Sequence, residues 1–111
     1  MTKLDEMWDA LAKYQDIADD DGHGQSWAAM CKLKTVAAAE AASRATARAA
    51  RAARAVNAAV VWAVWAADTA VHAAIYAKAA AVGLAAIDVE YYPEKVIEAI
   101  NKAIELAEKQ K

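Results

Sequence analysis

Residues 37–55 read AAAEAASRATARAARAARA, a stretch with no proline, no glycine and no large apolar side chain. Alanine is the best helix former, because it loses no side-chain entropy and buries no polar group. The tract continues: 26 of the 50 residues from Ala37 to Ala86 are alanine, and Gly83 is the single glycine among them. Alanine is also small enough to let helices approach closely. The stretch therefore predicts an all-α fold: a short helix, a long Ala-rich helix or helix pair, and a short C-terminal helix, packed as an oligomeric bundle.

Upstream, Leu4, Met7, Trp8, Leu11, Tyr14 and Ile17 recur at helical spacing and predict an amphipathic helix over residues 3–19. Thr2 and Asp5 have the spacing of a capping box. Asp19-Asp20-Asp21-Gly22-His23-Gly24 ends that helix, with both glycines read as sources of positive φ in a loop over 20–25. Ser26 is a good N-cap for the next helix. From there to Gly83 no strong stop signal occurs, so one helix over 26–82 is expected, about 85 Å long at 1.5 Å per residue. The alternative is a hairpin breaking at Asn57. An 11-residue spacing supports a persistent packing face, with rows Val60/Val71/Val82, Val64/Ile75/Ala86 and Trp65/Tyr76/Ile87. A linker over 83–92 leads to Pro93, a favoured first residue of a last helix over 93–110. Its exposed face offers Glu-to-Lys pairs at 98/102 and 105/109, each contributing a few tenths of a kcal/mol.

The 111 residues form a single domain by length, with a formal net charge of −2 that argues against generic nucleic-acid binding. Residues 1–21 hold two lysines against seven acids, whereas residues 31–66 hold six basic residues against Glu40 alone. That asymmetry predicts attraction between the two regions, within the fold or across an interface. Cys31 is the one cysteine, and the acidic N-terminal residues do not resemble a signal peptide. The longest charge-free central run is Ala55 to Ala67, with Asp68, His72 and Lys78 beyond it. A membrane span takes about 20 predominantly apolar residues, so a cytoplasmic chain without a membrane partner is expected. Because residues 37–55 lack large apolar side chains, a homo-oligomer is expected to supply the packing they need.

Arg44, Arg48, Arg51 and Arg54 fall on an arc of about 120° around one helix. Guanidinium forks above a floor of methyl groups match phosphate or carboxylate bidentately. The competing reading is a solvated face, or partners for the acidic first helix. Trp62 lies near enough in sequence to stack on the ring of a nucleotide-like ligand. Trp27, Trp65, Tyr91 and Tyr92 could stack in the same way, although aromatics at helical spacing usually form core. Asp68 and His72, four residues apart, are polar insertions in the otherwise apolar stripe of Val61, Val64, Trp65 and Ile75, and are expected to meet in or beside the core. Such a pair fixes register in an oligomer, as polar core residues do in coiled coils, more often than it catalyses. The acidic run before Gly22 fails the spacing of a calcium loop, and reads as a solvated turn. Neither a base–nucleophile constellation nor a metal cluster is apparent, so the chain is expected to be neither an enzyme nor cofactor-dependent.

The wording Lys3-Leu4-Asp5-Glu6-Met7-Trp8, then Asp21-Gly22-His23-Gly24-Gln25-Ser26-Trp27 and an alanine tract, resembles small alanine-rich proteins of tailed bacteriophages. The likeness covers the first 30 residues by wording and the rest by composition. It implies a bacterial host cytoplasm and an accessory role such as countering host defence. Some small helical phage proteins act as oligomeric sponges for nucleotide signals, a class-level analogy that would suit an arginine-lined groove. The expected function is thus an oligomeric, non-enzymatic binder of a small phosphate-containing ligand on the arginine stripe. The alternative is a helical module that binds a host protein and no small molecule.

Overall fold

The computed structural model describes residues 2–52, 58–83 and 90–109. Among them are six helices: α1 (Lys3–Ala12), α2 (Gln15–Asp20), α3 (Gly24–Leu33), α4 (Val36–Ala52), α5 (Ala58–Ala81) and α6 (Tyr91–Lys109). The all-α class is as expected from the alanine tract. The single 26–82 helix is not. The molecule measures 44 × 23 × 20 Å, which leaves no room for a rod of about 85 Å.

Two features replace the rod. Lys34 adopts a left-handed conformation, φ 56° and ψ 36°, and ends α3. Thr35 then caps α4, its Oγ1 accepting from the Ala38 N–H at 3.2 Å. A left-handed lysine is unfavourable in isolation, but the hydroxyl beside it satisfies an N–H that the new helix would otherwise leave unpaired. Further on, α4 and α5 pack along one another, the arrangement of the hairpin alternative; Asn57 itself lies outside the described residues.

α5 is the central helix. It packs against α4 on one side and α6 on the other, with α1 resting on α6 and α3 on α4. Its inward positions are almost all small: Ala59, Ala63, Ala66, Ala67, Ala70, Ala73 and Ala74 are buried, with Val60 and Val71. By length and composition α5 could cross a membrane, and half of its most apolar window is buried inside the bundle. Part of the alanine tract packs within one copy. Ala38, Ala39, Ala42 and Thr46 of α4 are buried within a single copy, because folding back places α3 and α5 beside them.

Large side chains supply the core at the other end. Trp27, Tyr14, Met7, Leu11, Met30, Ile100 and Val96 are fully buried. The expected 3–19 helix breaks at Lys13 and Tyr14, where the Lys13 and Tyr14 N–H groups donate to Ala10 O at 3.2 Å and Leu11 O at 3.1 Å. Those tighter i to i+3 turns bring Tyr14 against Trp27, ring centroids 4.9 Å apart. The indole N–H of Trp27 donates to Leu11 O at 2.8 Å and joins α3 to α1.

Thr2 and Asp5 form the capping box that their spacing predicts: Asp5 N–H donates to Thr2 Oγ1 at 3.1 Å and Thr2 N–H to Asp5 Oδ2 at 3.2 Å. Ser26, in contrast, is no cap. It lies inside α3, and its hydroxyl donates to His23 O at 3.1 Å. α6 begins at Tyr91 rather than Pro93. A proline is tolerated in a first turn because its missing N–H has no helical partner to lose. On its outer face Glu105 pairs with Lys109 at 3.2 Å as expected. Lys102, however, pairs with Glu105 at 3.9 Å and Glu98 with Lys95 at 3.5 Å, displacing the 98/102 pair. Of the 11-residue rows, Val60 and Val71 are buried but Val82 is 71% exposed, since α5 ends one residue before it. Ala86 and Ile87 lie outside the described residues.

Gly22 has φ +87° and meets nothing within 4 Å of a Cβ position, so it serves the turn. Gly24 has a different role from the one expected. It is helical, and a Cβ there would stand 2.8 Å from Asp19 Cα. Gln15 Nε2 closes the same junction by donating to Asp19 Oδ1 and Gly24 O, both at 2.8 Å. Gly24→Ala is expected to lower unfolding free energy by about 1–3 kcal/mol, the usual range for overpacking. Urea denaturation followed by far-UV circular dichroism measures it, and an unchanged midpoint would show that α2 and α3 separate without penalty.

Candidate functional site

A cleft with a volume of about 550 Å3 lies between α5 and α6. Trp62, Trp65 and Thr69 form the α5 wall; Tyr91, Tyr92, Lys95, Glu98 and Lys102 form the α6 wall, over Ala99. Helical spacing explains both walls. Trp62, Trp65 and Thr69 succeed one another by three and four residues, as do Tyr91, Lys95, Glu98 and Lys102, so each set shares one side of its helix. The rings are ordered against each other. Trp62 and Trp65 lie 5.1 Å apart, and Tyr91 meets Tyr92 edge-on at 5.1 Å. Tyr92 stacks nearly flat on Tyr76, 4.9 Å and 7°, and also on His72 at 5.6 Å. A hydrogen bond with Tyr76 pushes the Tyr92 phenol above its ordinary value. Lys95 Nζ sits 5.6 Å from the Tyr91 ring centroid, within cation–π range.

The cleft thus combines flat apolar faces, two ammonium groups and one carboxylate. Such a set can sandwich a planar ring and hold an anionic substituent. Tyr91 and Tyr92 were read as linker. They enter the site because α6 starts two residues earlier than Pro93 alone would set it.

The other sequence candidates fall elsewhere. Arg44, Arg48 and Arg51 are exposed on α4, on the face opposite Ala38, Ala42 and Thr46. Arg44 pairs with Glu40 at 3.9 Å, and none of the three lines the cleft that contains Trp62. Arg54 lies outside the described residues. The ion pairs Lys3–Glu6, Arg44–Glu40 and Lys95–Glu98 are all local, so none of them joins the acidic first helix to the arginines. Asp68 and His72 do not form a core pair. Both are exposed, and the His72 ring bonds through Nδ1 to the Asp68 main-chain oxygen at 3.1 Å rather than to its carboxylate. The stripe that carries them faces outward because the alanines of α5 take the inward positions.

The buried histidine is His23, and here the reading of a solvated turn is corrected. His23 is 4% exposed, tilted against Tyr14 and edge-on to Trp27. The Thr46 hydroxyl donates to Ala42 O at 2.7 Å, so it accepts from His23 Nδ1 at 3.0 Å. Nδ1 therefore carries the proton. Tyr14 Oη, Asp21 Oδ2 and His23 Nε2 are buried and find no hydrogen-bond partner among the described residues. Burial and the Asp21 charge push the Tyr14 phenol well above its ordinary value. Burial lowers the His23 pKa despite the opposing pull of Asp21 and Asp19. Cys31 is half-buried, and burial pushes its thiol up to about 11, which leaves it a poor nucleophile at neutral pH. These groups hold α2, α3 and α4 together.

A depressed histidine pKa gives stability that is complete above the unfolded value near 6.5 and is lost as pH falls through the lower folded value. The melting temperature is therefore expected to drop between pH 7.5 and 5.5. His23→Asn, which keeps a donor for Thr46 but cannot be charged, should flatten that slope. Calorimetry across the interval checks both; parallel slopes for the two proteins would remove His23 as the cause.

The chain matches no family model, no curated protein and no solved structure, so its function rests on these side chains themselves.

Proposed function

We propose that this is a non-enzymatic binding protein for a planar, anionic small molecule of the nucleotide class, held in the cleft between α5 and α6. One observation carries the reading: Trp62, Trp65, Tyr91 and Tyr92 converge on the same cleft as Lys95 and Lys102. Base–aromatic stacking contributes about 1–3 kcal/mol per base and tolerates any base, because each has a π-face. Lys95 lies one helical turn from Tyr91, at the reach of a phosphate attached to a stacked ring, and Lys102 extends the positive charge along the same wall, about three turns from Tyr91. Glu98, beside them, can accept from sugar hydroxyls or a base amino group. The volume suits a ligand of that size, since small-molecule pockets run from about 300 to 1,000 Å3.

This reading keeps the ligand class expected for the arginine stripe and gives it a different seat. On α4 the arginines stand apart from any aromatic wall described, and at physiological salt exposed charges bind a lone anion weakly. In the cleft, stacking removes water from one side of the ligand and strengthens each charge contact. A nucleotide-capturing role in a bacterial host, directed against host defence, is the use of such a site that the likeness to phage proteins favours.

A thermal-shift series with AMP, ATP and cyclic mononucleotides tests this, alongside quenching of tryptophan fluorescence. A ligand that binds only the folded state should stabilise it by about 2.7 kcal/mol at a hundredfold excess over Kd. The shift should vanish in Trp62→Ala and weaken at least tenfold in Lys95→Ala with Lys102→Ala, while Arg48→Ala with Arg51→Ala leaves it intact. If the arginine variants alone abolish it, the ligand sits on α4. Should no nucleotide shift the melt, the small-molecule reading fails and the helical-module alternative stands.

A further inference from the structure

α5 carries a second surface that adjoins its cleft wall at Trp65. Val61, Trp65, Asp68, His72, Ile75 and Val82 are all exposed, and Trp65 is 55% exposed. With Ala79, their spacing is four, three, four, three, four, three, the repeat of a coiled-coil seam. In one copy this stripe is largely open, with Tyr92 stacked on His72 at one edge, and from Val61 to Ala79 it runs about 27 Å along the helix.

We infer that the stripe is the contact between two copies of this chain, with the α5 helices antiparallel about a two-fold axis level with Ala70. The two polar positions select both the partner and the direction. In a parallel, in-register pair Asp68 would face Asp68 of the second copy and His72 would face His72, like against like. In the antiparallel pair each Asp68 stands opposite the other copy's His72, twice over by symmetry. The same register sets Trp65 opposite Ile75 and Val61 opposite Ala79, a large side chain against a smaller one in both layers. It also satisfies the rule that the two kinds of seam position alternate across an antiparallel pair. Shifting the helices by one heptad either way places Asp68 against Trp65 or Ala79, and leaves a carboxylate among apolar groups, which is unfavourable.

The histidine is oriented for this role. Its Nδ1 bonds to the Asp68 main-chain oxygen and its ring is stacked on Tyr92, so Nε2 is the edge left for a partner. A surface that pairs with itself through a two-fold axis needs such self-complementarity. The central Asp68–His72 contacts contribute direction and register more than affinity, while Val61, Trp65 and Ile75 supply the apolar burial. The surface does not depend on a ligand in the cleft, although Trp65 belongs to both.

Sedimentation equilibrium without ligand at micromolar concentration is expected to give twice the 11.8 kDa chain mass. Asp68→His, which puts histidine against histidine, should raise the dimer Kd at least tenfold, and adding His72→Asp to the same chain should restore it. Both positions are exposed, so circular dichroism should show all variants folded. Direction is read separately. In a Cys31→Ser background, Val61→Cys and Ala79→Cys chains are mixed and oxidised. Positions 61 and 79 lie about 27 Å apart along one helix, so only the antiparallel pair forms the 61–79 cross-link. A monomer at these concentrations, a Kd indifferent to Asp68→His, or a 61–61 cross-link would each overturn the inference.

Discussion

The fold depends on how closely two helices can approach α5. Its inward side chains are nearly all methyl groups, so α4 and α6 can pack on its two sides with little between the backbones. Dispersion contacts are individually small but accumulate over such a length. The same constraint governs the surface. When inward positions are given mostly to alanine, the largest apolar residues of α5 lie between helices, as Trp62 does, or outside, as Trp65 and Ile75 do. The aromatic cleft and the exposed stripe are two outcomes of one choice of small residues in the interior.

A second kind of packing holds the N-terminal half. There the side chains are large, and they carry polar atoms into the interior. Trp27 finds the Leu11 carbonyl, and Thr46 links His23 to the main chain of α4. Buried hydrogen bonds of this kind specify position, because a shifted helix would leave each group unpaired. Methyl-on-methyl contact between α4 and α5 discriminates poorly among registers. The His23–Thr46 bond, from the start of α3 to the middle of α4, fixes what the alanines leave free.

The helical class was legible because alanine density and the absence of breakers act locally. The capping box at Thr2 and the stop at Gly83 were legible for the same reason. The break at Lys34 was not, since its signal is one threonine cap and the left-handed residue is a lysine rather than a glycine. Burial was harder still. An alanine stripe has no contrast with which to mark an inward face, so the polar pair at Asp68 and His72 was placed beside the core when it belongs outside. Tyr91 and Tyr92 precede a proline, which conceals that the helix has already begun. Of the residues expected to hold the ligand with the arginines, Trp62 is the one that lines the cleft found, because a tryptophan on a helix of alanines has few places to pack.

The contact of α1 with α6 has consequences for the order in which the chain acquires structure. Most neighbours in this bundle are also neighbours in sequence, and such contacts form quickly. Met7 and Leu11 are different, for they share their cluster with Val96 and Ile100, almost the whole described length away. During synthesis the first helix must wait for the last, and until Ile100 has emerged its apolar face has only α3 and α5 for cover. α1 is thus among the last of the described helices to be locked in place, and α1 and α6 are held or released together.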